Sequence, residues 1–216
     1  VSVRRALAEN TACPEAVLIN LLADRNWDVR HAAATSTSAT ARVHQAAIND
    51  APNDVGRNVA QLGDQLSEAT IELIIGHPAV VLRADLAETT LDPVVLQRLS
   101  SDTSPRVRAS AAANAGTARF FQKTTLLPVV DTVLEQLSQD SRSEVRAVVA
   151  ESEDLPVEAV RRLAQDSSAV VRWWTLVHHA EDEVIARQLL DDSDPTNATQ
   201  AAANLKSLRP PRQRAD

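Results

Sequence analysis

One phrase recurs along the chain. VRRALAEN begins at Val3, VRHAAATS at Val29, LRADLAET at Leu82, VRASAAAN at Val107 and VRAVVAES at Val145; a weaker copy opens at Val55, another at Val171 and a degenerate one at Asn197. These starts lie 26, 26, 27, 25, 38, 26 and 26 residues apart, so one unit alone breaks the period, by 12 residues. A chain that repeats at this interval builds stacked units, each of which buries its apolar face only against its neighbours.

Composition says which kind of unit. Hydrophobic residues make up 44% of the 216, yet aromatics are 2% and tyrosine is absent, so the core consists of Ala, Val and Leu. That disfavours sandwiches and barrels, whose strands are rich in aromatic residues. Only four glycines leave few left-handed turns or phosphate-cradling loops, which points to helices joined by short connections.

Within each unit the apolar residues fall at helical spacing in two pieces. The longer piece is expected to begin at a proline or polar cap: Pro14 precedes Val17, Leu18, Leu21 and Leu22, Pro93 precedes Leu96 and Leu99, and Pro156 precedes Val160, Leu163 and Ala164. Proline suits the first helical turn, where its missing N–H had no partner. Asp24, Asp50, Asp102, Asp140, Asp166 and Asp192 close this piece, each five residues before the next opening residue. The second piece starts at the Val-Arg pair and lasts about two turns, too short to persist alone.

Column by column, the opening position, the fifth (Leu7, Ala33, Val59, Leu86, Ala111, Val149) and the sixth (Ala8, Ala34, Ala60, Ala87, Ala112, Ala150, Ala202) are apolar and read as the seam between units. The recurring alanine marks a close approach, so Ala112→Leu should cost about 1–3 kcal/mol by overpacking. Arg4, Arg30, Arg83, Arg108, Arg146 and Arg172 recur with the aspartates. A ladder of guanidinium bridges between units explains them better than an arginine groove for acidic ligands, because scaffold positions recur whereas sites do not.

The phrase V-R-x-A-x-A-x-N/S, followed by Pro, a Leu pair, Asp and again Val-Arg, resembles the leucine-rich repeat variant family, which is similar to HEAT-type repeats. The resemblance covers residues 3–208. It implies an all-α, right-handed superhelical solenoid of about seven to eight 26-residue two-helix repeats, alternating α and short α or 3₁₀ helices, without β-sheet. The repeats read as one domain over 3–208, with an insertion loop near 116–128 where the period breaks and a flexible basic tail at 209–216, where three Arg and two Pro end the helical pattern. A founding-type member of that family carries an iron–sulfur segment; Cys13 is the only cysteine here and cannot hold a cluster. Similar repeats also include alkyl-base DNA glycosylases and a di-iron hydroxylase built on His-Glu pairs, and no His-Glu pair occurs in this chain.

A net charge of −7 and a pI near 5.3 give no general attraction to nucleic acid or anionic membranes. A lone cysteine suits a reducing cytoplasm, no apolar run reaches membrane-spanning length, and the absence of any methionine reads as a trimmed or processed start.

Candidate functional residues are those that leave their columns. The third column is Arg5, His31 and Arg57 early and alanine later; the seventh holds Glu9, Thr35, Gln61, Glu88 and Glu151, and both read as solvent-facing. In the seventh unit they become Trp173 and Val177, with Trp174 between. This is a bulky apolar patch of the kind found at interaction hot spots, or alternatively a cap against residues 201–208 or a homodimer seam. The insertion holds Phe120, Phe121 and Lys123, and the two phenylalanines either bind a partner or tuck back onto the repeats. His178, His179, Asp182 and Glu183 would offer zinc-compatible pairs only if one helix ran through them.

The expected function is a non-catalytic, bacterial-type protein or peptide scaffold that uses Trp173, Trp174, Val177, Phe120 and Phe121, with Arg5, His31 and Arg57 as a basic strip for acidic residues of the ligand. No cofactor, metal or catalytic residue is expected. The alternative is a helical-repeat glycosylase with Trp173 and Trp174 stacking an extruded base and Asp182 or Glu183 as the acid.

Overall fold

A computed structural model describes residues 1–49, 53–121 and 127–208. Asp50, Lys123 and the expected basic tail at 209–216 lie outside the described residues. Among those described, no strand occurs, and the helices are α1 (Ser2–Ala8), α2 (Glu15–Leu21), α3 (Trp27–Ala34), α4 (Ala41–Asn49), α5 (Asn53–Ala60), α6 (Glu68–Ile75), α7 (Val80–Thr89), α8 (Pro93–Leu99), α9 (Pro105–Phe120), α10 (Leu127–Leu137), α11 (Ser143–Ala150), α12 (Val157–Leu163), α13 (Ala169–His178), α14 (Glu183–Gln188) and α15 (Pro195–Leu208). The chain is an all-α helical-repeat protein.

Its contacts group into two compact units, Val1–Ala111 and Ala112–Asp216, where the sequence alone suggested one array. In the first, α1, α3, α5 and α7 stack in one layer, while α2, α4 and α6 stack in a second. In the second, α11, α13 and α15 form the first layer, and α10 packs on α12. Odd-numbered helices carry the Val-Arg phrase; even-numbered ones carry the proline or polar start.

Two expectations about the pieces are corrected. Neither piece is consistently the longer: α7 and α13 have 10 residues against 7 in α8 and 6 in α14, whereas α4 has 9 against 8 in α3 and α10 has 11 against 8 in α11. From α3 onward the Val-Arg helices begin two residues ahead of the Val-Arg pair, because the closing residue of the unit before builds the turn that precedes them. Asp24 Oδ1 accepts the N–H of Asn26 at 2.9 Å, Asp102 Oδ1 that of Ser104 at 2.7 Å and Asp166 Oδ1 that of Ser168 at 2.8 Å. The residue so positioned then sits at the N-cap, as Asn26 and Ser168 do. The short pieces are α-helical, one of the two forms expected, and among the described residues the sole 3₁₀ segment is Gly63–Gln65. There Gly63 has φ +53°, and an added Cβ would stand 2.8 Å from the carbonyl oxygen of Thr89.

Burial follows the columns inside the array. Val29, Val55, Val107, Val145 and Val171 are fully buried, as are Ala33, Val59, Leu86 and Val149 in the fifth column and Ala8, Ala34, Ala60, Ala87 and Ala150 in the sixth. Three residues break the map. Val3 is 80% exposed and Leu7 41%, and Ala202 is also exposed, because α1 and α15 each have a stacked neighbour on one side only.

The arginine column is a ladder. Where Arg83, Arg146 and Arg172 stand, the guanidinium binds the closing aspartate of its own unit through two bonds: Arg83 to Asp102 at 2.7 and 3.1 Å, Arg146 to Asp166 at 2.5 and 2.7 Å, and Arg172 to Asp192 at 2.6 and 2.7 Å. Its third nitrogen reaches the carbonyl that closes the preceding unit, as Arg146 Nη1 does to Asp140 at 2.7 Å and Arg172 Nη1 to Asp166 at 2.6 Å. This planar, fork-shaped donor set is what arginine offers and lysine does not.

A second column reinforces the first. Ser36 Oγ donates to the Ala8 carbonyl at 2.7 Å, Thr89 Oγ1 to that of Ala60 at 3.3 Å and Asn204 Nδ2 to that of Leu176 at 2.8 Å. The eighth residue of one phrase thus satisfies the sixth residue of the phrase before it.

Candidate functional site

The 12 extra residues of the fifth unit begin as helix. α9 runs 16 residues to Phe120, so positions 116–120, expected in a loop, extend the Val-Arg helix, and residues 122–126 lie outside the described residues. Ala115 and Ala118 are fully buried along this extension. Gly116 permits its closest approach: a Cβ there would lie 2.2 Å from Ser152 Oγ and 2.9 Å from Ser152 Cβ. Arg119, on the last turn, forms an ion pair with Asp131 of α10.

This packing leaves Phe120 and Phe121 outside. Their rings meet edge to face with centroids 4.9 Å apart, and they remain 55% and 68% exposed. Both line a hollow of about 270 Å³ together with Ala113, Gly116, Val148, Ser152, Glu151 and Glu153. Gly116 and Ser152 are buried, while the two glutamates are exposed. The hollow therefore combines aromatic edges, a small-residue base and negative charge.

Arg5 and His31 are brought together, but Arg57 is not with them. Arg5 and His31 line a hollow of about 350 Å³. Trp27, which the column reading passed over, completes it: its ring stacks on His31 with centroids 4.9 Å apart and planes 15° from parallel. The signal was present as Trp27 and His31 at i,i+4 spacing on one helix. Arg5 Nε donates to Glu9 at 2.7 Å. Arg57 is occupied by Asp85 through bonds of 2.7 and 3.1 Å, so it forms part of the inter-repeat packing. The third column as a whole is not uniformly solvent-facing either, since Ala84 and Ala147 are buried.

Trp173, Trp174 and Val177 occupy α13 with differing surroundings. Trp173 is half-buried and lines two hollows, one with Ala169, Val170, Asp194 and Asn197, the other with Pro195, Thr199 and Gln200. Both hollows it lines include residues from the turn before α15 or its first half. Trp174 lies against His178, with ring centroids 5.6 Å apart, and Val177 is exposed.

No helix runs through His178, His179, Asp182 and Glu183. α13 ends at His178, and Asp182 caps α14 by accepting the N–H groups of Val184 at 2.9 Å and Ile185 at 3.1 Å. Glu183 is bound by Arg187. The acids that a base-excising reading needs beside Trp173 and Trp174 are therefore engaged locally. Among the described residues no group of three or more His, Cys, Asp or Glu side chains is arranged to hold a metal, and no helix is long and apolar enough to cross a membrane. Cys13 is buried beside the Pro14 carbonyl.

No protein-family model and no curated protein matches the chain. Among solved structures it is similar to a designed armadillo repeat protein in complex with the peptide (KR)4, at 17% identity over 96% of this chain and 92% of that one, with a TM-score of 0.28. A second designed armadillo repeat protein matches at 18% identity over the same shares, with a TM-score of 0.29. An engineered protein matches at 14% identity over 96% of this chain and 91% of that one, with a TM-score of 0.30. Similarity at this level transfers no residue roles.

Proposed function

We propose that the chain is a non-catalytic scaffold of the leucine-rich repeat variant type that binds a protein or peptide segment, with the Phe120–Phe121 hollow as its principal contact. The observation that carries this reading is the pair of phenylalanines standing exposed at the rim of a hollow. Covering one such ring contributes about 1.5–3 kcal/mol, and rigid aromatic anchors over a pocket are the usual centre of a binding surface. Glu151 and Glu153 on the same hollow favour a segment with a bulky apolar residue beside Lys or Arg. Trp173, Trp174 and Val177, and the Arg5, Trp27 and His31 hollow, are secondary contact surfaces. With a single cysteine and an acidic surface, we assign the scaffold to the bacterial cytoplasm.

Selection from a displayed random peptide library tests the reading. Enriched peptides should pair an aromatic or leucine with a basic residue. Phe120→Ala/Phe121→Ala should abolish their binding while the circular-dichroism melting curve stays in place. Peptides that bind the double variant equally well would remove this hollow as the site, and a selection that yields no binder would remove the scaffold reading.

A further inference from the structure

The insertion takes away a hydrogen-bond partner that the repeat pattern supplies elsewhere. Ser36, Thr89 and Asn204 each reach from the eighth column to the carbonyl of the sixth residue one phrase earlier. Those carbonyls, of Ala8, Ala60 and Leu176, lie in the last turns of α1, α5 and α13, where the helix itself offers no N–H to them. Ser152 stands in the same column, and the carbonyl at the matching position is that of Ala112. α9, however, continues eight residues past Ala112. In the regular helical pattern this carbonyl accepts the N–H of Gly116 and is enclosed by the helix.

Ser152 is therefore left without its counterpart. It is only 8% exposed, and among the described residues nothing is hydrogen-bonded to its Oγ. The hydroxyl stands over Gly116, where an added Cβ would lie 2.2 Å from it, and both residues line the hollow of about 270 Å³ that Phe120 and Phe121 share. A buried hydroxyl without a partner is costly, so a ligand that supplies one gains by it. Glu151 and Glu153 on the same hollow repel a carboxylate, which makes a neutral acceptor the one that fits.

We infer that this hollow takes an extended peptide segment and that Ser152 Oγ donates to one of its backbone carbonyls, in place of the Ala112 carbonyl that α9 withdraws. A helical segment keeps its carbonyls for its own N–H groups except in its last turn, so the ligand is extended where it meets Ser152. The inference rests on the Phe120–Phe121 hollow being the binding site, and adds the conformation of the ligand and the contact that fixes its register.

A peptide selected on the unmodified chain is the probe. Ser152→Ala should weaken its binding about two- to tenfold, the worth of one neutral hydrogen bond. The melting temperature should not fall, because no bond within the chain is lost. Thr89→Val, which removes a bond of the same column made inside the protein, should do the reverse. Peptides with one amide at a time replaced by an ester, a weaker acceptor, locate the partner: one position should lose affinity on the unmodified chain and none on Ser152→Ala. Full-strength binding to Ser152→Ala overturns the inference. So does an ester scan in which no position depends on Ser152, or a helix-stapled peptide that binds as tightly as the free one. If Phe120→Ala/Phe121→Ala also leaves binding intact, the hollow itself fails as the site; if the phenylalanines matter and Ser152 does not, the hollow stands and this inference alone falls.

Discussion

Gly56 and His77 stand, within a single repeat, at the two positions that hold arginine and aspartate in the other six of the first seven. His77 keeps half of the aspartate's work: its Nδ1 accepts the N–H of Ala79 at 3.1 Å, forming the same turn, while its carbonyl still receives Arg83 Nη1. With Gly56 across from it, no guanidinium is stranded. Both halves of the bridge are replaced together, which avoids the cost of a buried charge left alone.

Restoring the bridge tests this directly. A Cβ at Gly56 meets nothing closer than 3.4 Å, so a Cβ is accommodated there. In a double-mutant cycle of Gly56→Arg and His77→Asp, the double variant should exceed the sum of the singles by about 0.5–3 kcal/mol in urea unfolding. A coupling of zero would mean the ladder is ornamental in this repeat.

Gly116→Ala should destabilise the protein by about 1–3 kcal/mol, through overpacking against Ser152. Ser152→Gly in the same chain should return most of the loss. Thermal melts of the two single variants and the double measure it, and a neutral Gly116→Ala would show that α9 and the Ser152 backbone separate easily.

Acid should weaken the ladder. Burial raises the Asp102 and Asp166 carboxyls, but hydrogen bonds from Arg83 and Ser104, and from Arg146 and Ser168, outweigh it and hold both below the ordinary aspartate value; Arg172 chiefly does the same for Asp192. In each case the unfolded chain takes up protons at a higher pH than the folded one. The stabilisation is therefore complete above about pH 4, the unfolded aspartate range, and declines as pH falls through the lower folded values. Urea midpoints between pH 5 and 2.5 should fall steeply for the wild type and less steeply for Arg146→Met.

His44 acts in a milder range. It is buried in α4, neither ring nitrogen has a hydrogen-bond partner among the described residues, and burial lowers its pKa. The unfolded state protonates first, so stability is full above about pH 6.5 and drops as pH falls below it. His44→Leu should remove that slope and add about 1–3 kcal/mol at neutral pH, the cost of a buried unsatisfied group. Melting temperatures at pH 8, 6.5 and 5.5 decide the matter.

The interior of the array was readable from the sequence because Val29, Val59 or Ala34 meets the same neighbours in every repeat, so side-chain type records burial. The pairing of arginine with aspartate was readable for the same reason. Val3, Leu7 and Ala202 were misplaced because their residue types match their columns while their neighbours do not. Helix starts were set two residues late, since the signal at Asn26 or Ser168 is a backbone N–H held by an aspartate two residues earlier. The Phe120–Phe121 site was visible as a departure from the period, but the hollow beside it depends on Gly116 meeting Ser152, 36 residues away in sequence. Trp27 was overlooked because its position has no fixed residue type against which it would stand out.

The ladder also has a mechanical reading. The bridges of Arg83 to Asp102, Arg146 to Asp166 and Arg172 to Asp192 join residues no more than 20 apart, with the carbonyl contacts shorter still, so tension applied along the chain is expected to be borne by one clamp at a time. Stretching should release repeats singly, each adding about 26 residues, or roughly 90 Å of slack at about 3.5 Å per residue. Such a chain lengthens in steps under load and shortens again as each guanidinium finds its carboxylate.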